Sequence, residues 1–524
     1  MGEQEWEMEP RFRGRRLWQS IERTGLLPAG VFFAVAWFFT PIGELAEFDP
    51  DEGVNLIKAM MHAHGYALYE QVWSDQPPLV TLLLAQAYEW AGPSLVTARL
   101  VTLSFATLLV WAVYQTLRLR VSVVAALVGV VLLVISRMYL RLSVSVMIGL
   151  PALALAMLAI YLLLRSRQAR SEGTAVVLLT ASGAALALSM QAKLFTAIVV
   201  LPMVLALMMP MGRGGGAGEA HGLNPWASGW DVWKAGVRRV AVWAAAVVGV
   251  FGVSALMLGA VAGDQLVGTH VAAQGRTWGD QLHDLYRLTG MVVRHAIYLP
   301  LAVAAVWWAW RRGVADVLLP AAWFVLAVVL LSVHRPLWYH HILLLTIPLA
   351  WLAGYGVQAW LEWDALRQRR VAVAAAVVVG LAMPLATPLH RQLHEETYDY
   401  RFALYDGVAA ELAAEPMVGN PVPGYVFTDR PTYAYLSGRP LPPELAVQTS
   451  KRWEAGQITQ QQVVEMIRQY RPRHVVLERY NDEQYGDALQ AHLEQYYEPH
   501  RKVRHTRSHF PPLRHHVRRS SDEP

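Results

Sequence analysis

The chain has 524 residues, 55% of them hydrophobic, with a mean hydropathy of +0.28. Soluble domains average roughly 45–50% apolar; here the excess is gathered into long runs, which excludes a soluble protein and makes the chain an integral membrane protein. It has no cysteine, so disulfides, thiolate chemistry and cysteine zinc sites are excluded, and its net charge of +5 lies mainly in loops, where membrane topology explains it better than nucleic-acid binding.

Residues 1–25 read as a charged cytoplasmic tail carrying Arg11, Arg13, Arg15, Arg16 and Arg23. The apolar run 26–42 follows without a convincing small-residue cleavage site and reads as a retained anchor. Next comes 47–79, EFDPDEGVNLIKAMMHAHGYALYEQVWSDQPPL, which concentrates carboxylates in greasy surroundings. An amphipathic helix is predicted here, with Val54, Ile57 and Met61 on one face, Asn55, Lys58 and His62 on another, and Gly65 as a stop. Asp49 reads as its N-cap and Pro50 as its first residue. A cap needs one side chain, so Asp51 and Glu52 are left for another use.

A spanning helix needs roughly 17–25 apolar residues. Runs of about that length are 26–42, 95–117, 121–136, 142–164, 174–191, 194–211, 237–262, 291–310, 314–333, 337–361 and 371–389. Basic clusters at 11–16, 118–120, 165–170, 213–239, 311–312 and 367–370 mark cytoplasmic loops. Crossing 26–42 forward from Arg16, or 95–117 backward from Arg118, leads outside both times. The run 77–92 therefore cannot be an ordinary span and reads as a juxtamembrane or re-entrant helix. The predicted fold is mainly α: a polytopic bundle of about eleven spans, N-terminus in and C-terminus out. Its domains are the tail 1–25, the transmembrane domain 26–389 with a catalytic external loop 43–94, an external α/β domain 390–500, and a disordered basic tail 501–524. In the α/β domain, 424–429 and 474–478 read as buried strands, and 459–470 and 487–497 as helices.

Ionisable residues at the edge of a span are candidates for function. On the outer side of this topology fall Arg99, Arg137, Arg141, Lys193, Arg335, His340 and His341, with His270 and Arg276 in a second external loop. Such cations suit a phosphate or pyrophosphate headgroup, although arginines there also snorkel to lipid. Facing them, a deprotonated Asp can take the proton of an acceptor hydroxyl as it attacks an activated sugar carbon, while the cations stabilise the leaving phosphate. No P-loop, HExxH motif or Ser-His-Asp order is evident, and His62 and His64 do not stand at helical ligand spacing.

In order, Asp51-Glu52-Gly53, the helix after it, Gly65-x-x-Leu68-Tyr69, Pro77-Pro78-Leu79, Gly92-x-Ser94 and Ala98-Arg99-Leu100 form a series. It resembles the GT-C superfamily of polyprenyl-phosphate-dependent glycosyltransferases, nearest the bacterial protein O-mannosyltransferase and aminoarabinose transferase families. The resemblance is dense over 48–118 and looser at Gln191-Ala192-Lys193-Leu194 and from Tyr339-His340-His341 to Gly354. It implies a catalytic base at Asp51 with Glu52 beside it and a second acid at Asp75. Some relatives carry Lys before the prolines, where this chain has Gln76.

The expected function is an inverting membrane glycosyltransferase that moves a sugar from a polyprenyl-phosphate donor to an extracytoplasmic acceptor: a protein hydroxyl, a lipid or a cell-wall glycan. Asp51, Glu52 and Asp75 are the catalytic candidates; Arg99, Arg137, Lys193, Arg335 and His340 are the candidates for the lipid phosphate. No metal or other cofactor and no nucleic-acid partner are expected. The setting is the cell membrane, among its lipids, with the site on the outer face. The rival is a transporter or flippase of lipid-linked sugars, which favours mid-membrane sites and inverted repeats.

Overall fold

The computed structural model describes residues 24–44, 46–49, 51–209, 229–259, 263–269, 278–334, 337–362, 401–414, 424–503 and 511–519. The predicted span 371–389, the tail 1–23, His270, Arg276 and Arg335 lie outside them.

Among the described residues, six helices are long and apolar enough to cross a bilayer: Leu95–Arg118, Gly149–Ser166, Glu172–Ala192, Trp230–Met257, Ala315–Val333 and Tyr339–Glu362. A seventh is obtained if Val123–Val134 and Arg137–Ser143, bent by 76°, count as one. Leu26–Phe39 and Leu194–Met208 are apolar but shorter. The chain is a multi-pass membrane protein, built as a mainly helical bundle. Several helices start where a serine side chain takes an otherwise unpaired amide: Ser94 from Thr97, Ser122 from Ala125 and Ser171 from Thr174. Tyr339–Glu362 lies at the centre of the bundle, and its residues 343–359 are buried all round.

The two ends of loop 43–94 meet at one end of the bundle. Arg99, one turn into Leu95–Arg118, donates to the Ile42 carbonyl at 2.6 Å. At the opposite end Gln115 reaches the carbonyl of Thr24 at 2.7 Å. The run 77–92 forms the helix Leu79–Ala91, whose 13 residues span only ~20 Å against a hydrocarbon core of ~30 Å. It closes at Gly92, whose φ of +80° a side chain would resist. The basic loops share the far end, where Arg120 pairs with Asp316 at 2.6 Å and Arg312 with Glu362 at 2.8 Å.

The loop helix runs Glu52–Ala63, and everything from Glu52 to Met61 is buried. It is therefore not the half-exposed amphipathic helix that the spacing predicts, because protein covers its polar face too. The C-terminal region forms a sheet of order β1-β2-β4-β3, from Val426–Thr428, His474–Leu477, Tyr497–Val503 and Leu513–Arg518. β1 and β2 pair in parallel, with Phe427 opposite Val475, as a helix-linked strand pair requires. Gln460–Tyr470 is capped by Thr459; a short turn of helix from Asp482 breaks at Gly486, whose φ is +71°, and the predicted helix follows from 487.

The expectation of a disordered tail from 501 is corrected. Arg501–Val503 complete β3, and Leu513–Arg518 form β4 at the heart of the sheet. Leu513 and His515 point into the domain while their neighbours stay half-exposed. Histidine serves here as a buried residue, so the period-2 signal was hidden under basic composition. The domain docks on loop 43–94: Arg430 pairs with Glu47 at 2.7 Å, and helix Thr432–Ser437 packs against the loop helix.

Candidate active site

A cavity of about 760 Å³ opens where the loop, the bundle and the C-terminal domain meet. Asp51, Asn55 and Lys58 enter it from the loop helix, at the i, i+4, i+7 spacing of one helical face. Asp75 enters beside Gln76 from the turn before the proline pair. Tyr69 fixes that turn, although it sits in the left-handed region at φ +68°. Its amide donates to the Val72 carbonyl at 2.7 Å, its hydroxyl to the Gln76 carbonyl at 2.7 Å, and its own carbonyl accepts from Gln265 at 2.8 Å. Gln265 belongs to the second predicted external loop, so the two loops meet.

Cations face these acids. Lys193 stands in the break between Glu172–Ala192 and Leu194–Val199, its ammonium 5.0 Å from the Phe195 ring centre. Burial, with Lys451 nearby, pulls Lys193 down to about 8, while Asp75 and Asp51 hold it up. Burial lowers Lys58 as well, against the same two carboxylates. His340 completes the wall from the bundle, and Lys451 and Arg479 from the C-terminal domain.

Asp51 is open to the cavity, with 41% of its side chain exposed, and accepts from Arg479 at 3.2 Å. Arg479 is aimed by Asp429, whose carboxylate accepts the backbone N–H groups of Glu478, Arg479 and Tyr480 at 2.8–2.9 Å. Asp49, by contrast, is closed in. One oxygen accepts the Asp51 amide at 3.1 Å and the other the Tyr339 hydroxyl at 3.0 Å. Burial first and the charge of Asp51 second raise it to about 6, opposed by the Asp51 amide, Arg141 and Tyr339. Asp49 thus holds the turn before the helix, but it is not the N-cap that the sequence predicts: the helix starts at Glu52, with Asp51 in the cap position, and Pro50 lies outside the described residues.

Three expected residues are placed elsewhere. Glu52 points away from the cavity into a fully buried bidentate pair with Arg99, at 2.9 and 3.0 Å. Its remaining lone pairs take the amides of Phe48 at 2.8 Å and Val146 at 3.0 Å. No lone pair is left for a substrate, and Arg99, spent on Glu52 and Ile42, cannot reach a lipid phosphate. Arg137 is exposed at the start of its short helix and does not line the cavity. Arg141 donates to the Phe48 carbonyl at 2.9 Å and so secures the loop.

Asp51, Asp75, Lys193 and His340 are the expected residues that do come together. Asn55, Lys58, Lys451 and Arg479 were missed. The stacking of Asn55 and Lys58 with Asp51 was a readable signal; nothing local marks Lys451 or Arg479, some 400 positions along the chain. Away from its polar end the cavity becomes apolar, along Phe195 and Leu201 on one side and Leu326, Val329 and Val333 on the other.

The family model for dolichyl-phosphate-mannose-protein mannosyltransferases matches residues 75–214. No curated protein matches the sequence. Among solved structures, ArnT from Cupriavidus metallidurans in the apo state is similar with a TM-score of 0.62 at 13% identity, over 97% of this chain and 99% of that one. The same protein bound to undecaprenyl phosphate gives 0.64 at 15% identity, over 95% and 98%. The Archaeoglobus fulgidus oligosaccharyltransferase in the apo form gives 0.54 at 12%, over 95% of this chain and 75% of that one. At these identities the likeness to the solved structures is one of fold. It is the fold of the GT-C glycosyltransferases, and the family-model match takes in the end of the first loop, from Asp75, and the helices after it.

Proposed function

We propose that the protein transfers a sugar from a polyprenyl-phosphate donor to an extracytoplasmic acceptor, with inversion and with Asp51 as general base. The observation that carries this reading is the composition of one cavity. Carboxylates Asp51 and Asp75 face Lys58, Lys193 and Lys451 at its polar end, and an apolar flank leads from there along two membrane helices. A phosphate with a long hydrocarbon tail has that pattern of charge and grease. The known ArnT complex with undecaprenyl phosphate, in the same fold, supports the donor class.

In the proposed step the acceptor oxygen attacks the anomeric carbon. The bond from that carbon to the phosphate oxygen breaks, and the lipid phosphate leaves with the electron pair. The acceptor proton passes to Asp51. The lysines stabilise the charge that grows on the phosphate. Arg479, paired with Asp51 at 3.2 Å, holds the carboxylate in place at the edge of the cavity. No resident metal is called for, and the acceptor class stays open among protein hydroxyl, lipid and cell-wall glycan. The cell membrane, with the cavity on the outer face, is part of the proposal and rests on the charge of the loops.

Asp51→Asn keeps size and hydrogen bonding while removing the charge. It is expected to lower transfer in purified protein by at least about 100-fold, with lipid-phosphate binding retained. Glu52→Gln serves as contrast: leaving Arg99 buried and unpaired costs about 3–5 kcal/mol, read as a lower melting temperature. Transfer at the wild-type rate by Asp51→Asn would move the base to Asp75. If Asp75→Asn is silent as well, the flippase reading takes over.

A further inference from the structure

Far from the cavity, three side chains of the C-terminal domain converge without a shared hydrogen bond. Glu411 lies on helix Arg401–Ala414, His500 on β3 and His515 on β4. The His500 Nε2 stands 3.4 Å from Glu411 Oε2, and the His515 Nδ1 stands 3.5 Å from the same oxygen. All three ligand atoms lie within 4.8 Å of one another. Glu411 Oε2 and His515 Nδ1 are both buried and make no hydrogen bond. Orphaned buried polar atoms cost ~1–3 kcal/mol each, so two aimed at one point call for a partner.

We propose that Glu411 Oε2, His500 Nε2 and His515 Nδ1 bind a divalent late first-row cation, zinc above all, as a site separate from the transfer chemistry. Zinc holds imidazole nitrogen and carboxylate oxygen at roughly 2.0–2.2 Å, and two tetrahedral ligands at that radius lie about 3.4 Å apart. The two nitrogen–oxygen separations, 3.4 and 3.5 Å, match that edge. Two imidazoles and a carboxylate are a donor set zinc accepts.

The surroundings agree. Arg501 donates to the other oxygen, Glu411 Oε1, which orients the carboxylate and leaves Oε2 for a metal. His515 Nε2 lies 2.9 Å from His474 Nδ1. If Nδ1 of His515 binds metal, Nε2 carries the proton and donates it to His474, the outer-shell bond that fixes a ligating imidazole. An adjoining cavity of about 480 Å³, lined by Glu411 and His500, leaves room for water in the fourth position. The ion would clip the helix that enters this domain to the last two strands of its sheet.

The test uses the full chain in detergent, without a histidine tag, stripped with chelator and then equilibrated with zinc or cobalt(II). Wild type is expected to retain about one tightly held zinc per chain and to show the intense visible absorption of tetrahedral cobalt. His500→Ala and Glu411→Gln should each weaken zinc binding by at least about tenfold and abolish that absorption. The His500 side chain is 48% exposed, so its loss should leave the metal-free melting temperature unchanged, while zinc raises melting in wild type alone. Equal zinc retention by wild type and both variants, or a cobalt spectrum the substitutions do not alter, overturns the site.

Discussion

Asp49 and Asp51 stand two positions apart, and folding gives them opposite environments. Asp49 is raised on folding from its ordinary value of 3.8 to about 6. Between those values the folded chain binds more protons there than the unfolded chain. The contribution of Asp49 therefore favours the folded state below about pH 4 and is lost as the pH rises through about 6. The shift corresponds to ~3 kcal/mol at most. Asp49→Asn cannot ionise, so its melting temperature should gain on wild type as the pH goes from 4 to 7, with most transfer activity retained. A difference that stays constant with pH would show that another group titrates in that window. The sequence separates these two acids by giving Asp49 the cap, whereas the structure closes Asp49 in with the Asp51 amide and the Tyr339 hydroxyl and leaves the cap position to Asp51. The sequence could not separate Asp51 from Glu52, because only the distant Arg99 and the Val146 amide decide that Glu52 turns inward.

The loop helix and the docked helix Thr432–Ser437 meet at Gly53. A Cβ added there would come within 2.2 Å of Thr432 Oγ1 and 2.9 Å of its backbone nitrogen. Backbone cannot give way as a flexible side-chain end can, so a methyl group must push the helix off. Gly53→Ala should loosen the contact and speed amide exchange of residues 432–437 by at least about tenfold. Transfer should fall with it, since Arg479 arrives with the same domain. Unchanged exchange would mean that the helices do not need this close approach. The helices of the bundle were legible from their apolar runs, and β1 and β2 from theirs. β4 was not, because His515 and His516 read as solvated charge, and only the His474 side chain, 2.9 Å from His515, shows which one is buried.

For the whole molecule, charge parity puts residues 43–94 on one side, and the contacts of Arg99 with Ile42 and of Gln265 with Tyr69 bring the predicted outer segments together at one end. Cysteines introduced singly at Gln76 and Ser94, in a chain that has none, should both react with an impermeant reagent added outside intact cells. Protection of one alone would split the loop across the membrane and end the proposed topology. That the cavity draws on the C-terminal domain was not legible, since no local pattern ties Arg479 to Asp51 across 428 positions. This pairing has a consequence for biosynthesis. The lipid-facing walls, Asp51 and Lys193 are all translated before residue 400, whereas Arg479 follows ~80 residues later, some 4–16 s at roughly 5–20 residues per second. Throughout that interval a nascent chain already in the bilayer holds the groove but not the arginine that pairs with Asp51. Completion of the cavity thus waits for the C-terminal domain, and on the proposed function a chain stalled by the ribosome in between is expected to occupy donor lipid without turning it over.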